Sequence, residues 1–314
     1  MKQRRATLVQ LLILGVLGAA VLISLMLPSS GLFTSSGEVV EISVIFREVD
    51  AVHWENTKMG MEQAAQEAGA ELRFLYLTRP NDAEEQIEIM RREAVRGAQA
   101  LIVIPVSDAC VETLSKEQSD LPIISMESCA PGAAACIAPD QAALGSALAQ
   151  EIIEDGIPNQ VLLLDTAKDN SAVTQRLDAA QAALEEQGAA VARMKISAEE
   201  IKAQSFLWGQ KVYDAVVVAE PFAAQEAAEK KAELGLSQRL YGVGITDAIA
   251  LALEDETISA CAVIGEYASG YLAVQQALRA VSGEDAQSQT MPFSIVRGED
   301  FNELSSQKLL FPVD

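Results

Sequence analysis

From residue 41 to residue 296 the chain alternates two hydrophobic patterns. Short apolar runs at 42–46, 100–106 (ALIVIPV), 160–165 (QVLLLD) and 215–219 (AVVVA) have the length of strands. Each is followed by a longer stretch with apolar residues at helical spacing. The first unit, ISVIFREVDAVHWENTKMG over 42–60, passes from a strand through a polar bend at 47–52 into a helix. On that helix Trp54, Met61, Ala64, Ala65 and Ala68 recur at helical spacing until Gly69 stops it. Nearly uninterrupted apolar strands suit a parallel sheet covered on both faces. The same reading predicts strands at 72–77, 121–126, 136–138, 191–196, 240–244, 258–264 and 292–296. It predicts helices at 82–96, 109–118, 142–154, 171–187, 198–208, 222–234, 248–254 and 269–281, the first with Asp82 as N-cap and Glu85 at capping-box spacing. Repeated strand–helix units without a sequence repeat give an α/β chain with two doubly wound sheets.

The N-terminus breaks this rhythm. Lys2, Arg4 and Arg5 precede an uncharged apolar run from Leu8 to Leu27 that ends at Pro28. This is about the 20 residues a helix needs to cross a bilayer. The basic flank predicts a cytoplasmic N-terminus and an exported remainder. Residues 1–27 are therefore expected to be a cytoplasmic tip and transmembrane signal-anchor, with a cleaved signal peptide as the alternative. Residues 28–40, rich in Ser and Gly, read as a linker. The expected location is the cell membrane, with the body extracytoplasmic.

Composition narrows the partners. The 314 residues, half of them hydrophobic, are enough for two lobes. Twenty-three basic against 45 acidic residues, a formal charge of −22, argue against nucleic-acid binding. Four cysteines stand at 110, 129, 136 and 261 without a CxxC spacing or a nearby histidine, so no metal site is expected. Cys129 and Cys136 bracket the loop APGAAA and are either a disulfide or two free thiols; Cys110 and Cys261 read as small core residues.

Catalysis finds little support. His53 is the only histidine, no GxSxG elbow, HExxH or Walker loop is present, and Gly242-Val243-Gly244 is only a fragment of a glycine-rich loop. No enzyme activity and no cofactor are expected. Polar residues instead collect after the buried strands: Arg47, Asp50, Ser107, Asp108, Glu127, Ser128, Asp165, Asn170, Arg176, Glu220, Thr246 and Asp247. Recurrence at strand end after strand end is the pattern of a cleft that binds a small molecule.

The segments ISVIF…W-x3-K-x-GMEQAAQEAGAEL, NDAEEQIEIMRREAVRGAQALIVIPVSD, LPIISME…IAPDQAALGSALAQEI, DNSAVTQRLDAAQAAL, VYDAVVVAEPFAAQEA and YGVGITDAIALALEDETISACAVIGEYASGYLAVQQAL together resemble a type I periplasmic binding protein of the ribose/galactose-binding class. The resemblance spans nearly all of the chain after Glu41. It implies two lobes joined by a three-crossover hinge near Asp140, Gly265 and Pro292, closing on a small ligand. The lobes would be 41–139 plus 265–291, and 140–264 plus 292–314. The implied function is solute binding for the permease of an ABC transporter. The alternative is a ligand-sensing subunit that reports to a membrane histidine kinase.

Site residues follow from the resemblance position by position. The family's Asn-Pro and paired aromatics fall on Ala51, Val52, His53 and Trp54, leaving Trp54 as the stacking ring with His53 beside it. An acidic-Arg pair becomes Glu127-Ser128, and Asp140-Gln141 resembles the hinge Asp-Asn. Asn170-Ser171-Ala172 with Arg176 matches, making Arg176 the foremost carried-over ligand contact. Glu220-Pro221 departs from the family's Asn-Asp, and Thr246 or Asp247 takes the place of an Asp turn. Together with Arg47, these residues make up the expected ligand site. If Trp54, Glu127, Glu220 and Asp247 face the cleft, an amine-bearing ligand would suit it.

Overall fold

The computed structural model describes residues 39–50, 52–166, 169–203, 210 and 212–302. The expected signal-anchor at 1–27, most of the linker, Ala51, the end of the helix expected at 198–208 and the tail beyond 302 lie outside the described residues. No helix among the described residues is long and apolar enough to cross a membrane.

Two six-stranded sheets organise the chain from Val40 onward. The first contains β1 (Glu41–Ile45), β2 (Glu71–Leu75), β3 (Ala100–Val103), β4 (Ile123–Met126), β5 (Ala135–Pro139) and β11 (Gln289–Met291) in the order β11-β5-β4-β3-β1-β2. All its pairs are parallel, with Ile45 opposite Val103 at the end of the β1–β3 ladder. The second contains β6 (Gln160–Asp165), β7 (Ala190–Lys195), β8 (Ala215–Val218), β9 (Arg239–Val243), β10 (Ala260–Ile264) and β12 (Phe293–Val296) in the order β12-β10-β9-β8-β6-β7. Only β12 runs antiparallel to its neighbour. The chain passes between the sheets three times, after β5, after β10 and between β11 and β12.

Helices cover both faces of each sheet. They are α1 (Glu55–Ala68), α2 (Ala83–Val95), α3 (Asp108–Glu117), α4 (Gln141–Glu154), α5 (Ser171–Glu186), α6 (Ala198–Ala203), α7 (Pro221–Leu234), α8 (Asp247–Glu254) and α9 (Glu266–Val281). Alternate residues of a strand serve opposite faces. Ile42, Val44 and Phe46 pack with Met61 and Ala64 of α1 and with Ala273 and Ala277 of α9. Ile45 packs the other way, with Met90 of α2 and Val111 and Leu114 of α3. Burying one such side chain contributes about 1.5–3 kcal/mol. The second sheet repeats the scheme, with α4 and α5 on one face and α7 and α8 on the other.

Helix α1 meets α9 through two glycines. A Cβ at Gly60 would strike the carbonyl of Tyr267, and one at Gly270 would strike the carbonyl of Thr57. Side-chain caps fix where several helices begin, and the one at Asp82 is the cap expected from the sequence. Asp82 accepts from the Glu85 N–H at 3.1 Å, Asp140 from Ala143 at 2.9 Å, Asn170 from Ala172 at 3.0 Å and Thr246 from Ile249 at 3.1 Å. Before α1 the expected helix is a 3-10 turn at Val52–Trp54. The sequence pattern missed β11 as a strand, because its three residues QTM carry almost no apolar signal. Cys129 and Cys136 form a disulfide with Cα atoms 5.1 Å apart, while Cys110 and Cys261 are buried free thiols.

Candidate functional site

In an open parallel sheet, ligands favour the carboxyl ends of the strands where the strand order reverses. In the first sheet this point lies between β1 and β3, and in the second between β6 and β8. Arg47 follows β1 at the first point and Glu220 follows β8 at the second. The two meet, with Arg47 Nη2 3.0 Å from a Glu220 carboxylate oxygen.

Three carboxylates share the Arg47 guanidinium. Its Nε lies 3.0 Å from Glu48, Nη1 lies 2.9 Å from Glu127, and Nη2 is on Glu220. Arg47 is 3 % exposed. Burial opposes its charge, but Glu127, Glu220 and Glu48 outweigh that and raise its pKa far above the usual arginine value. Burial likewise raises the carboxyls of Glu220 and Glu48, with Arg47 pulling both back. Thr166, at the end of β6, donates its hydroxyl to Glu220. The Trp54 indole donates to Glu48 at 2.8 Å, and its ring centre lies 6.0 Å from the Arg47 guanidinium carbon. Glu127 within this ring and Asn81, whose N–H donates to the Arg47 carbonyl at 2.9 Å, have φ of 61° and 56°. Left-handed backbone in non-glycine residues costs about 1–2 kcal/mol and gathers at functional sites.

Arg176 is equally buried but differently employed. Its Nε and Nη2 donate to Gln141 Oε1 at 3.0 and 2.6 Å, and Nη1 donates to the Ala219 carbonyl. It feels Glu127 and Glu220 through space, yet burial prevails and lowers its pKa. Gln141 in turn donates to the Glu127 carbonyl at 2.7 Å, linking α4 to the end of β4. Asn170 Nδ2 donates to the Pro105 carbonyl at 3.0 Å, and Ser128 and Ser171 hydroxyls lie 3.0 Å apart. The last three of these contacts, Gln141 to Glu127, Asn170 to Pro105 and Ser128 to Ser171, join an element of one sheet to an element of the other, whereas the Arg176 bonds stay within the second.

Among the described residues, His53 borders three cavities at this junction. An inner one of about 40 Å³ lies between Trp54, Glu127 and Glu266, with room for about three waters. A second of about 70 Å³ adjoins Arg47, Asn81 and Phe222. The outer one, about 280 Å³, is bordered by Thr246, Asp247, Gln225 and Glu266. His53 packs edge-on against Phe222 at 5.2 Å, and its Nε2 is buried with no hydrogen-bond partner among the described residues. Burial lowers the His53 pKa, with Gln225, Asp50 and Glu226 acting in the opposite direction. The Glu266 carboxyl is pushed up to about 8 by burial and by Glu127, against hydrogen bonds from the Ile245 N–H and Asn56.

Of the residues expected at the site, Arg47, His53, Trp54, Glu127 and Glu220 come together, with Arg176 behind them. Thr246 and Asp247 border the outer cavity. Asp140 and Asn170 are occupied as helix caps and border none of the three cavities. Sequence reasoning missed Glu48 and Glu266. Glu48 sat in a polar bend beside a residue already singled out, and that adjacency was its only signal. Glu266 begins a helix, where an acidic residue is ordinary.

A model of the periplasmic binding protein domain family matches residues 42–285. No curated protein matches the sequence. Solved structures match in fold. GanP, a glucose-galactose binding protein from Geobacillus stearothermophilus, is 18% identical with a TM-score of 0.76, covering 85% of this chain and 100% of its own. A carbohydrate transporter solute-binding protein from Agrobacterium radiobacter, in complex with D-arabinose, is 17% identical with a TM-score of 0.78, covering 87% and 99%. An ABC transporter solute-binding protein from Bacillus halodurans with bound myo-inositol is 19% identical with a TM-score of 0.73, covering 87% and 100%.

Proposed function

The chain belongs to the periplasmic binding protein domain family, and from that premise we propose that it is an extracytoplasmic solute-binding protein of the sugar ABC-transporter type. The observation that carries the proposal is the meeting of Arg47 and Glu220, each at the strand-order reversal of its own sheet. The residues 41–139 with 265–291 form one lobe and 140–264 with 292–314 the other, hinged at the three crossovers. Opening parts Arg47 from Glu220, Gln141 from the Glu127 carbonyl and His53 from Phe222. A small polyol entering between the lobes finds donors and acceptors from both, and closure restores the bridges around it. Trp54 offers the edge of an aromatic wall, and Arg47, Glu127, Glu220, Thr246 and Asp247 offer polar contacts. The apolar run at 8–27 holds the body at the outer face of the membrane, where a permease receives the closed form.

Solved relatives that carry D-arabinose and myo-inositol support a sugar or sugar-like ligand. On this reading the ligand is bound and released unchanged, as the family membership suggests. Thermal unfolding of the full-length chain against a panel of pentoses, hexoses and inositols tests the reading. A ligand at a hundredfold excess over its Kd stabilises by about 2.7 kcal/mol, a plain rise in Tm. A panel that leaves Tm unchanged, or a sugar that is chemically converted on incubation, contradicts the proposal.

A further inference from the structure

We propose that the disulfide between Cys129 and Cys136 positions Glu127 and Ser128 for closure of the junction, and that an extracytoplasmic dithiol acting at Cys129 loosens them. The contacts involved are those of the junction itself; only their consequence for a ligand rests on the reading of that junction as the ligand site.

Glu127 and Ser128 are the two residues between the end of β4, at Met126, and Cys129. Cys136 is the second residue of β5 and stands opposite Ser125 of β4 in the parallel ladder. The disulfide therefore pins the far end of Glu127-Ser128 to the same sheet that holds its near end. Between these anchors Glu127 takes a φ of 61°, a left-handed backbone that a non-glycine residue keeps only where its surroundings hold it. The Ser125 hydroxyl donates to the Ser128 carbonyl, and the Glu127 N–H donates to the Ile137 carbonyl at 3.1 Å. Beyond Cys129 the loop continues as Ala130-Pro131-Gly132-Ala133-Ala134, of which only Ala130 is buried. So little apolar surface anchors a loop weakly, and the covalent tie supplies the constraint that packing does not.

What the two residues hold is the junction. The Glu127 carboxylate lies 2.9 Å from Arg47 Nη1, and the Glu127 carbonyl accepts from Gln141 of the second lobe. The Ser128 hydroxyl donates to the Asp108 carboxylate and lies 3.0 Å from the hydroxyl of Ser171, again of the second lobe. The Asp108 N–H donates across the junction to the Asp169 carbonyl at 3.4 Å.

Cys129 is exposed whereas Cys136 is 5 % exposed, so a reductant reaches the bond at Cys129. A thiolate of the dithiol attacks the Cys129 sulfur, the S–S bond breaks, and the Cys136 sulfur leaves as a thiolate that takes up a proton. The second thiol of the reductant then displaces Cys129 and closes the reductant's own disulfide. In all, two electrons and two protons pass from the dithiol to the protein. Glu127 and Ser128 thereby lose their far anchor, and the contacts across the junction weaken.

Hydrogen exchange of the full-length chain, oxidised and then reduced with dithiothreitol, tests this without any ligand. Thiol titration under denaturing conditions confirms that all four cysteines are free after reduction. The expected result is exchange at the Asp108 amide about tenfold faster or more in the reduced chain. The Ile104 amide, bonded to the Ile45 carbonyl within the first sheet, should change by about threefold or less. Cys129→Ser should show the fast Asp108 exchange from the start and no further change with dithiothreitol. Unchanged Asp108 exchange in the reduced chain and in Cys129→Ser overturns the inference. So does a parallel rise at Asp108 and Ile104, or loss of the folded circular dichroism, either of which makes the bond a general staple of the lobe. A bond that resists dithiothreitol in the folded chain overturns the reductive step, and Cys129→Ser then decides the positioning. Failure of every sugar to bind the oxidised chain touches the solute-binding reading alone.

Discussion

Arg47 and Arg176 are both 3 % exposed, and they sit at the same junction. Yet Arg47 is surrounded by three carboxylates from two lobes, and Arg176 by the neutral oxygens of Gln141 and Ala219 from one. Their electrostatics diverge accordingly. Carboxylates raise the pKa of Arg47 against burial, while burial lowers that of Arg176. The same side chain thus does two jobs. Arg47 is an ionic bridge whose partner Glu220 follows a strand of the other sheet. Arg176 braces its own lobe and orients Gln141, which reaches across only through a backbone carbonyl.

The comparison breaks most visibly at Arg47. Arg47→Met strands three buried carboxylates, and removing one partner of a buried ion pair costs about 3–5 kcal/mol. If the two sheets part as proposed and let water in, some of that cost appears as opening. The expected outcome is a lower Tm together with faster hydrogen exchange at the Asp108 amide, which donates to the Asp169 carbonyl of the other lobe. Arg176→Met leaves Gln141 Oε1 and the Ala219 carbonyl unsatisfied, a loss of about 1–3 kcal/mol. Denaturant unfolding should show that loss, while exchange at Asp108 stays close to that of the unaltered chain.

A smaller effect sharpens the contrast through pH. Glu266 has an ordinary value of 4.5 and is held at about 8 in the folded chain. The folded state therefore binds more protons than the unfolded one between these values. Its contribution is full below about 4.5 and is lost as pH rises through about 8. Stability should decline over that window, and Glu266→Gln should flatten the decline in a pH series of thermal melts. The guanidinium groups of Arg47 and Arg176 remain charged throughout, but burial also raises Glu48 and Glu220 in the bridge, so the share of the slope owed to Glu266 is the part that Glu266→Gln removes.

The sequence alone revealed the sheets well and the junction unevenly. Ile42, Val44 and Phe46 announce a strand, the apolar run at 100–106 a strand covered on both faces, and Asp82 a helix start, because these signals are local. Trp54 shows the limit. An aromatic residue after a strand reads as a ring facing a ligand; here it borders the inner cavity but also packs with Phe46 and ties its N–H to Glu48. Whether Arg47 would be exposed in a bend or buried among carboxylates depends on Glu127 and Glu220, some 80 and 173 residues away in sequence. No local pattern carries that information. The family pattern put Arg176 foremost among the expected ligand contacts, with Arg47 beside it; the structure brings both to the junction, Arg47 bonded to carboxylates of both sheets and Arg176 behind it.

A double-mutant cycle on Arg47→Met and Glu220→Gln tests the central claim most directly, because it isolates the bridge between lobes from every other effect of the two substitutions. Denaturant unfolding of the full-length chain would give the four free energies. A direct bridge predicts a coupling of about 2 kcal/mol or more, the doubly substituted chain being far less damaged than the two single losses would sum to. Losses that add to within about 0.5 kcal/mol would contradict it.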